Sequence, residues 1–185
     1  MSSSRSTTSA LALAVLALGC ADQTTDASRF SGPIDAPLFS HDAGGHHFTA
    51  APLKGDHEVP PNDSDGNGVA QFELSDDGTS MRYKLVVANT ENVTQAHIHL
   101  GPRGANGPVV VFLYGFNPAG TSENGVLSEG EFTAANLIAR PAIGFGATMP
   151  ELVAALRSGN AYVNVHTLRW PGGEVRNQIE EAGKD

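Results

Sequence analysis

In "GVAQFELS", Gly68 to Ser75, apolar and polar side chains take turns. Ala70, Phe72 and Leu74 fall on one side, and Val69, Gln71 and Glu73 on the other. "SMRYKLVVAN" repeats the pattern, with Met81, Tyr83, Leu85 and Val87 opposite Arg82 and Lys84. A period of two is that of a strand with one buried face, and it constrains the fold more than any other feature of the chain. Between these runs, "SDDGTS" supplies an Asp-Gly pair, which accepts the positive φ of a tight hairpin turn. "VTQAHIHL", "GPVVVFLY" and "GVLSEGEF" continue the set. "AYVNVHTL" and "GEVRNQI" close it, joined by the turn sequence "RWPGG". The 21 glycines and 11 prolines fit a chain of many turns.

Helical signals are brief. Thr133 is placed to cap "AANLI". In "TMPELVAALRSG", Thr148 and Glu151 have capping-box spacing, Pro150 sits in the first turn and Gly159 ends the segment, with Leu152 and Leu156 on one apolar face. The expectation is an all-β fold: an antiparallel β-sandwich or open barrel of about seven to nine strands with one or two short helical connections.

The chain opens with Arg5, an apolar run from Ala10 to Leu18, and then Gly19-Cys20. That run is too short to span a bilayer and fits the apolar region of a secretion signal. A small residue before a lone cysteine resembles a bacterial lipoprotein signal, which implies lipidation of Cys20. The position three before Cys20 is Ala17, where such signals usually carry Leu. The expected layout is a signal peptide at 1–19, a flexible tether at 20–47, one domain at 48–180 and a short tail at 181–185. The tether is rich in Ser, Thr, Asp, Gly and Pro and ends in a tract holding His41, His46 and His47. The expected location is the cell envelope, periplasmic or on the outer surface, with the membrane reached through lipidated Cys20.

Charge narrows the choice of partner. Twenty acidic residues stand against eleven basic ones, for a formal charge of −9. No basic cluster is present to meet phosphates, so nucleic acid is not an expected partner. A single cysteine excludes an intrachain disulfide and a cysteine-rich metal site.

The densest chemistry lies in the histidines. Alternation puts His97 and His99 on one face of their strand, with Ala96, Ile98 and Leu100 on the other. It likewise puts Tyr162, Asn164 and His166 opposite Val163, Val165 and Thr167. If the two strands are neighbours, His97, His99 and His166 converge on a common face, a ligand set suited to copper or zinc. The competing reading is that the imidazoles bond to backbone, Glu58, Glu174 or Asn164 and pin the strands.

Other motifs carry less. "DSDGNG" begins like a calcium loop with Asp63, Asp65, Asn67 and Gly68, but its twelfth position is Leu74 rather than Glu, so a turn is expected. Ser128 and Glu129 are not set in a nucleophile elbow. Gly101, Gly104 and Gly107 precede a strand rather than a helix, so they read as a tight turn and not a phosphate cradle. No catalytic residue is assigned.

Several segments together resemble the CHRD domain, named from chordin, an extracellular antagonist of growth factors. They are Glu58-Val59-Pro60-Pro61, Ala96-His97-Ile98-His99 with Gly101, Gly104 and Gly107-Pro108, Tyr162-Val163-Asn164-Val165-His166-Thr167 and Pro171-Gly172-Gly173-Glu174. The resemblance runs from about Thr49 to Ile179. Asn177 stands where that family often has Gly. The resemblance implies an extracytoplasmic β-sandwich module with no established general enzymatic activity. His-x-His on a strand is also similar to copper/zinc superoxide dismutase, from which this chain departs in lacking a cysteine pair and a dense His/Asp loop. The leading expectation is an exported, lipid-anchored binding or scaffold module with a protein partner in the envelope. A metal-binding protein using copper or zinc on His97, His99 and His166 is the alternative, and an accessory subunit of a larger membrane assembly the third.

Overall fold

A computed structural model describes residues 46–183. The signal segment, Cys20, His41 and nearly all of the expected tether lie outside the described residues. The strands are β1 (His46–Lys54), β2 (Asn67–Leu74), β3 (Ser80–Leu100), β4 (Val109–Tyr114), β5 (Thr121–Thr133), β6 (Ala161–Thr167), β7 (Val175–Gln178) and β8 (Glu180–Glu181). One α-helix, α1 (Met149–Arg157), precedes β6. The neighbour path β2-β1-β7-β6-β3, completed by pairing of β3 with β2, closes a small antiparallel barrel. This agrees with the expected all-β class and helix content.

The frame is set by β3. Alternation reads it as two strands, but it is one of 21 residues. Its first half pairs with β2 on one edge, through Leu74–Met81 to Asn67–Ala88, and with β5 on the other, through Thr133–Ser80 to Thr121–Val93. Its second half pairs with β6, through Val93–Thr167 to Leu100–Ala161, and with β4, through Ala96–Tyr114 to His99–Val109. Register shifts fall between Val87 and Val93, where the partners change. There Asn89 and Asn92 both take φ of 55°. Asparagine tolerates this left-handed backbone better than most side chains, so the polar "NTEN" stretch bends the strand without ending it.

β1 has no counterpart among the strands legible by alternation, because Pro52 interrupts the run and its register with β2 shifts between Ala50 and Leu53. His46 and His47 therefore belong to this strand and not to a tether. His46 Nδ1 lies 3.4 Å from Glu181 Oε1. The expected helix after Thr133 is a single 3-10 turn, Ala134–Asn136, with the Thr133 cap in place.

Inside the barrel, Phe48, Phe72, Met81, Leu85, Ile98, Val163 and Ile179 form one apolar core with Leu152 and Leu156 of α1. The outer face of β3–β6–β7 is buried as well. His97 and His99, Tyr162, Asn164 and His166, and Arg176 and Gln178 make a polar layer there. Three loops cover it: the stretch after β1 that carries Glu58, the β3–β4 turn and the β6–β7 turn. Asn106 of the second loop donates to the Val59 carbonyl of the first at 2.8 Å, and Asn62 of the first to the Gly173 and Glu174 carbonyls of the third.

Candidate metal centre

β3 and β6 are neighbours, and their register pairs Gln95 with His166, His97 with Asn164 and His99 with Tyr162. The three histidines therefore share the outer face, as alternation requires. One ring nitrogen from each of His97, His99 and His166 lies within 4.8 Å of the others. Their exposures are 2%, 9% and 7%.

The hydrogen bonds fix which nitrogens are bare. His99 Nδ1 lies 2.8 Å from the Gly107 carbonyl, and His166 Nδ1 lies 3.0 Å from that of Pro171. A carbonyl only accepts, so each Nδ1 carries the proton and each neutral ring leaves Nε2 with a lone pair. His166 Nε2 sits 3.2 Å from His97 Nδ1 and accepts a hydrogen bond from it, so of the three Nε2 atoms it is the partnered one. That leaves His97 Nε2 bare too. His97 Nε2 and His99 Nε2 are buried with no protein partner. Unpaired buried acceptors are uncommon and call for a reason.

All three rings are held neutral. Burial pushes His97 down to about 3, with the neighbouring His166 and His99 adding to the effect. Burial likewise takes His99 down to about 4, opposed by its bond to Gly107 and reinforced by His166, Arg176 and Arg140. His166 is lowered by burial against the pull of the Pro171 carbonyl. Metal binding at neutral pH would thus displace no proton from these rings.

The surroundings are specific. The Tyr162 ring stacks on His99 with centroids 4.8 Å apart and planes 12° off parallel. Phe112 of β4 meets His97 edge-on at 4.5 Å and is 48% exposed, so it forms the outer wall. Glu58 accepts from Asn164 Nδ2 at 3.1 Å on both oxygens, and burial pushes its carboxyl up to about 7 against the pull of Arg176 and Asn164. Two glycines have no substitute here. A Cβ on Gly107 would run into the Leu100 carbonyl, and one on Gly173, at φ of 133°, would sit 2.6 Å from Asn164 Nδ2 and 2.7 Å from Glu58 Oε1.

Convergence of the three histidines on one face and their bonding to backbone are therefore both present. The rings do bond to backbone, through Gly107 and Pro171, yet those bonds consume only Nδ1. Glu58 and Asn164 bond to each other, and Glu174 accepts from Ser64 at 2.6 Å. Arg176, Arg140 and Phe112 are parts of the site that the sequence reading did not name. For Arg176 a signal existed, since alternation in "GEVRNQI" puts it opposite Val175.

The remaining motifs fall elsewhere. Asp63 and Asp65 lie in a loop, but Asn67 and Gly68 already belong to β2 and Leu74 is in the core, so "DSDGNG" is a turn leading into a strand. Ser128 and Glu129 lie in β5 beside the first half of β3, where Glu129 pairs with Lys84 at 2.9 Å. Gly104, at φ of 78°, and the bond from Ala105 N to the Pro102 carbonyl make the expected tight turn.

No curated protein and no solved structure matches the chain. The CHRD domain model does, over residues 49–179. That span holds β2 through β7, the covering loops and all three histidines, and on it the chain belongs to the CHRD family.

Proposed function

We propose that this CHRD chain is an exported, lipid-anchored module whose binding function is centred on one copper or zinc ion held by His97, His99 and His166. Membership of the family makes a binding or scaffold module the coarse description. The observation that carries the finer one is the set of three neutral, buried imidazoles that bring one ring nitrogen each within 4.8 Å of the others, two of them, His97 and His99, with a bare Nε2. Carbonyls that fix Nδ1 and so aim Nε2 are the usual outer partners of metal-ligating histidines. Ligands 2.0–2.1 Å from one ion stand about 3.5 Å apart, so a small rotation of the rings closes a set spread over 4.8 Å. Export and the anchor are supported by the apolar run before Cys20.

The test is elemental analysis of the chain, purified without a histidine tag and offered copper and zinc, beside the triple variant His97→Ala, His99→Ala, His166→Ala. The expected result is one equivalent of metal in the parent and none in the folded variant. Equal metal in both overturns the site. No metal in either leaves the imidazoles as ties between strands and loops and makes a protein partner the object of search. For the anchor, Cys20→Ser is expected to move the protein from the membrane to the soluble fraction; membrane retention of that variant overturns it.

A further inference from the structure

Two arginines border the three histidines. Arg176 is 1% exposed, and its guanidinium carbon lies 3.7 Å from the centroid of Tyr162. His99 stacks on that same ring. Two groups cannot occupy one face at such distances, so Tyr162 is the middle layer between a fixed cation and His99. The acceptors of Arg176 are uncharged: Asn106 Oδ1 at 3.0 Å and the Ala105 carbonyl at 2.9 Å. Among the described residues no carboxylate forms an ion pair with it. A second guanidinium, Arg140, donates to the Val109 carbonyl at 2.7 Å, and Val109 is the β4 partner of His99. The buried acid of this layer, Glu58, is tied by both oxygens to Asn164 and feels Arg176 without forming an ion pair with it.

A metal there meets three neutral nitrogens, two nearby arginines and no anionic ligand. The penalty for burying an ion grows with the square of its charge, so a divalent ion faces roughly four times that of a monovalent one. On three imidazoles zinc must also hold a water as its fourth ligand in this buried layer, whereas copper(I) accepts three-coordination. Among the described residues no cysteine, aspartate or glutamate joins the three-histidine group. We propose that the centre is selective for monovalent copper over divalent zinc, with Arg176, acting through Tyr162, as the residue that sets the preference. This rests on reading the three histidines as a metal site.

The test uses the full chain carrying Cys20→Ser, so that no thiol competes. Copper(I) is offered anaerobically from a chromophoric copper(I) chelator, and zinc separately from a chromophoric zinc chelator. The expected result is one copper(I), held at least about 100-fold more tightly than zinc, and neither ion in the triple histidine variant. Arg176→Met keeps the bulk and removes the charge, and is expected to narrow the ratio by about tenfold. Arg140→Gln is the second charge variant, with a smaller shift in the same direction, and serves if Arg176→Met fails to fold. Zinc binding as tight as copper(I), or an unchanged ratio in a folded Arg176→Met protein, overturns the selectivity and leaves the site standing. Failure to bind either ion overturns both.

Discussion

At the scale of residues, the acid behaviour of the protein follows from groups that titrate in opposite senses. Unfolded histidines take up protons near 6.5, whereas His97 and His99 in the fold resist until about 3 and about 4, and His166 is lowered as well. Their contribution to stability is complete above 6.5 and is lost as pH falls below it. Glu58 works the other way. Its folded value is about 7 against 4.5 unfolded, so its contribution is complete below 4.5 and is lost as pH rises through 7. Glu58→Gln is therefore expected to raise stability at pH 8 by roughly 1–3 kcal/mol and to lose it more steeply than the parent between pH 7 and 5. Urea denaturation at pH 8, 7 and 5 checks this; a parallel pH profile in the two proteins would assign the burial of Glu58 no consequence. Alternation put His97 and His99 on one face of their strand and His166 on the matching face of its own, and the pairing of β3 with β6 joins them. Alternation could not show that the face is covered, because the covering groups come from loops far along the chain, at Gly107, Pro171 and Glu58.

Among the elements, α1 was legible because everything that makes it is local. Thr148 accepts from Glu151 N, Glu151 Oε2 accepts from Thr148 N at 3.0 Å, and Gly159 takes φ of 70° just past the end. Thr148→Ala is expected to cost about 1 kcal/mol, and Leu152→Ala, from a fully buried position, about 2–5 kcal/mol. Thermal unfolding of the two variants compares them; equal losses would mean that α1 is held by its cap and not by its packing. β1 and β3 were not legible in the same way. Pro52 hides β1 as a strand, and the polar bend at Asn89–Asn92 gives β3 the pattern of two strands, since neither a bulge nor a change of partner leaves a mark in local periodicity.

For the whole molecule, the class was readable from turn chemistry and a period of two, but closure was not. Whether strands of this length make two stacked sheets or a barrel depends on which edges meet, and that is decided by pairs such as Gln95–His166 and Lys54–Arg176, which stand far apart in the chain. The answer lies in β3, which belongs to both halves of the barrel and carries four partners along its two edges. A backbone shared by both halves of the barrel offers no seam between them. A chain divided within Asn89–Asn92 should yield fragments that neither fold alone nor reassemble. New termini placed in the exposed Gly115–Gly120 turn between β4 and β5 should leave a circular permutant intact, read by native circular dichroism and cooperative melting. The stretch of polar asparagines that most resembles a joint in the sequence is thus a place where this protein is not to be taken apart.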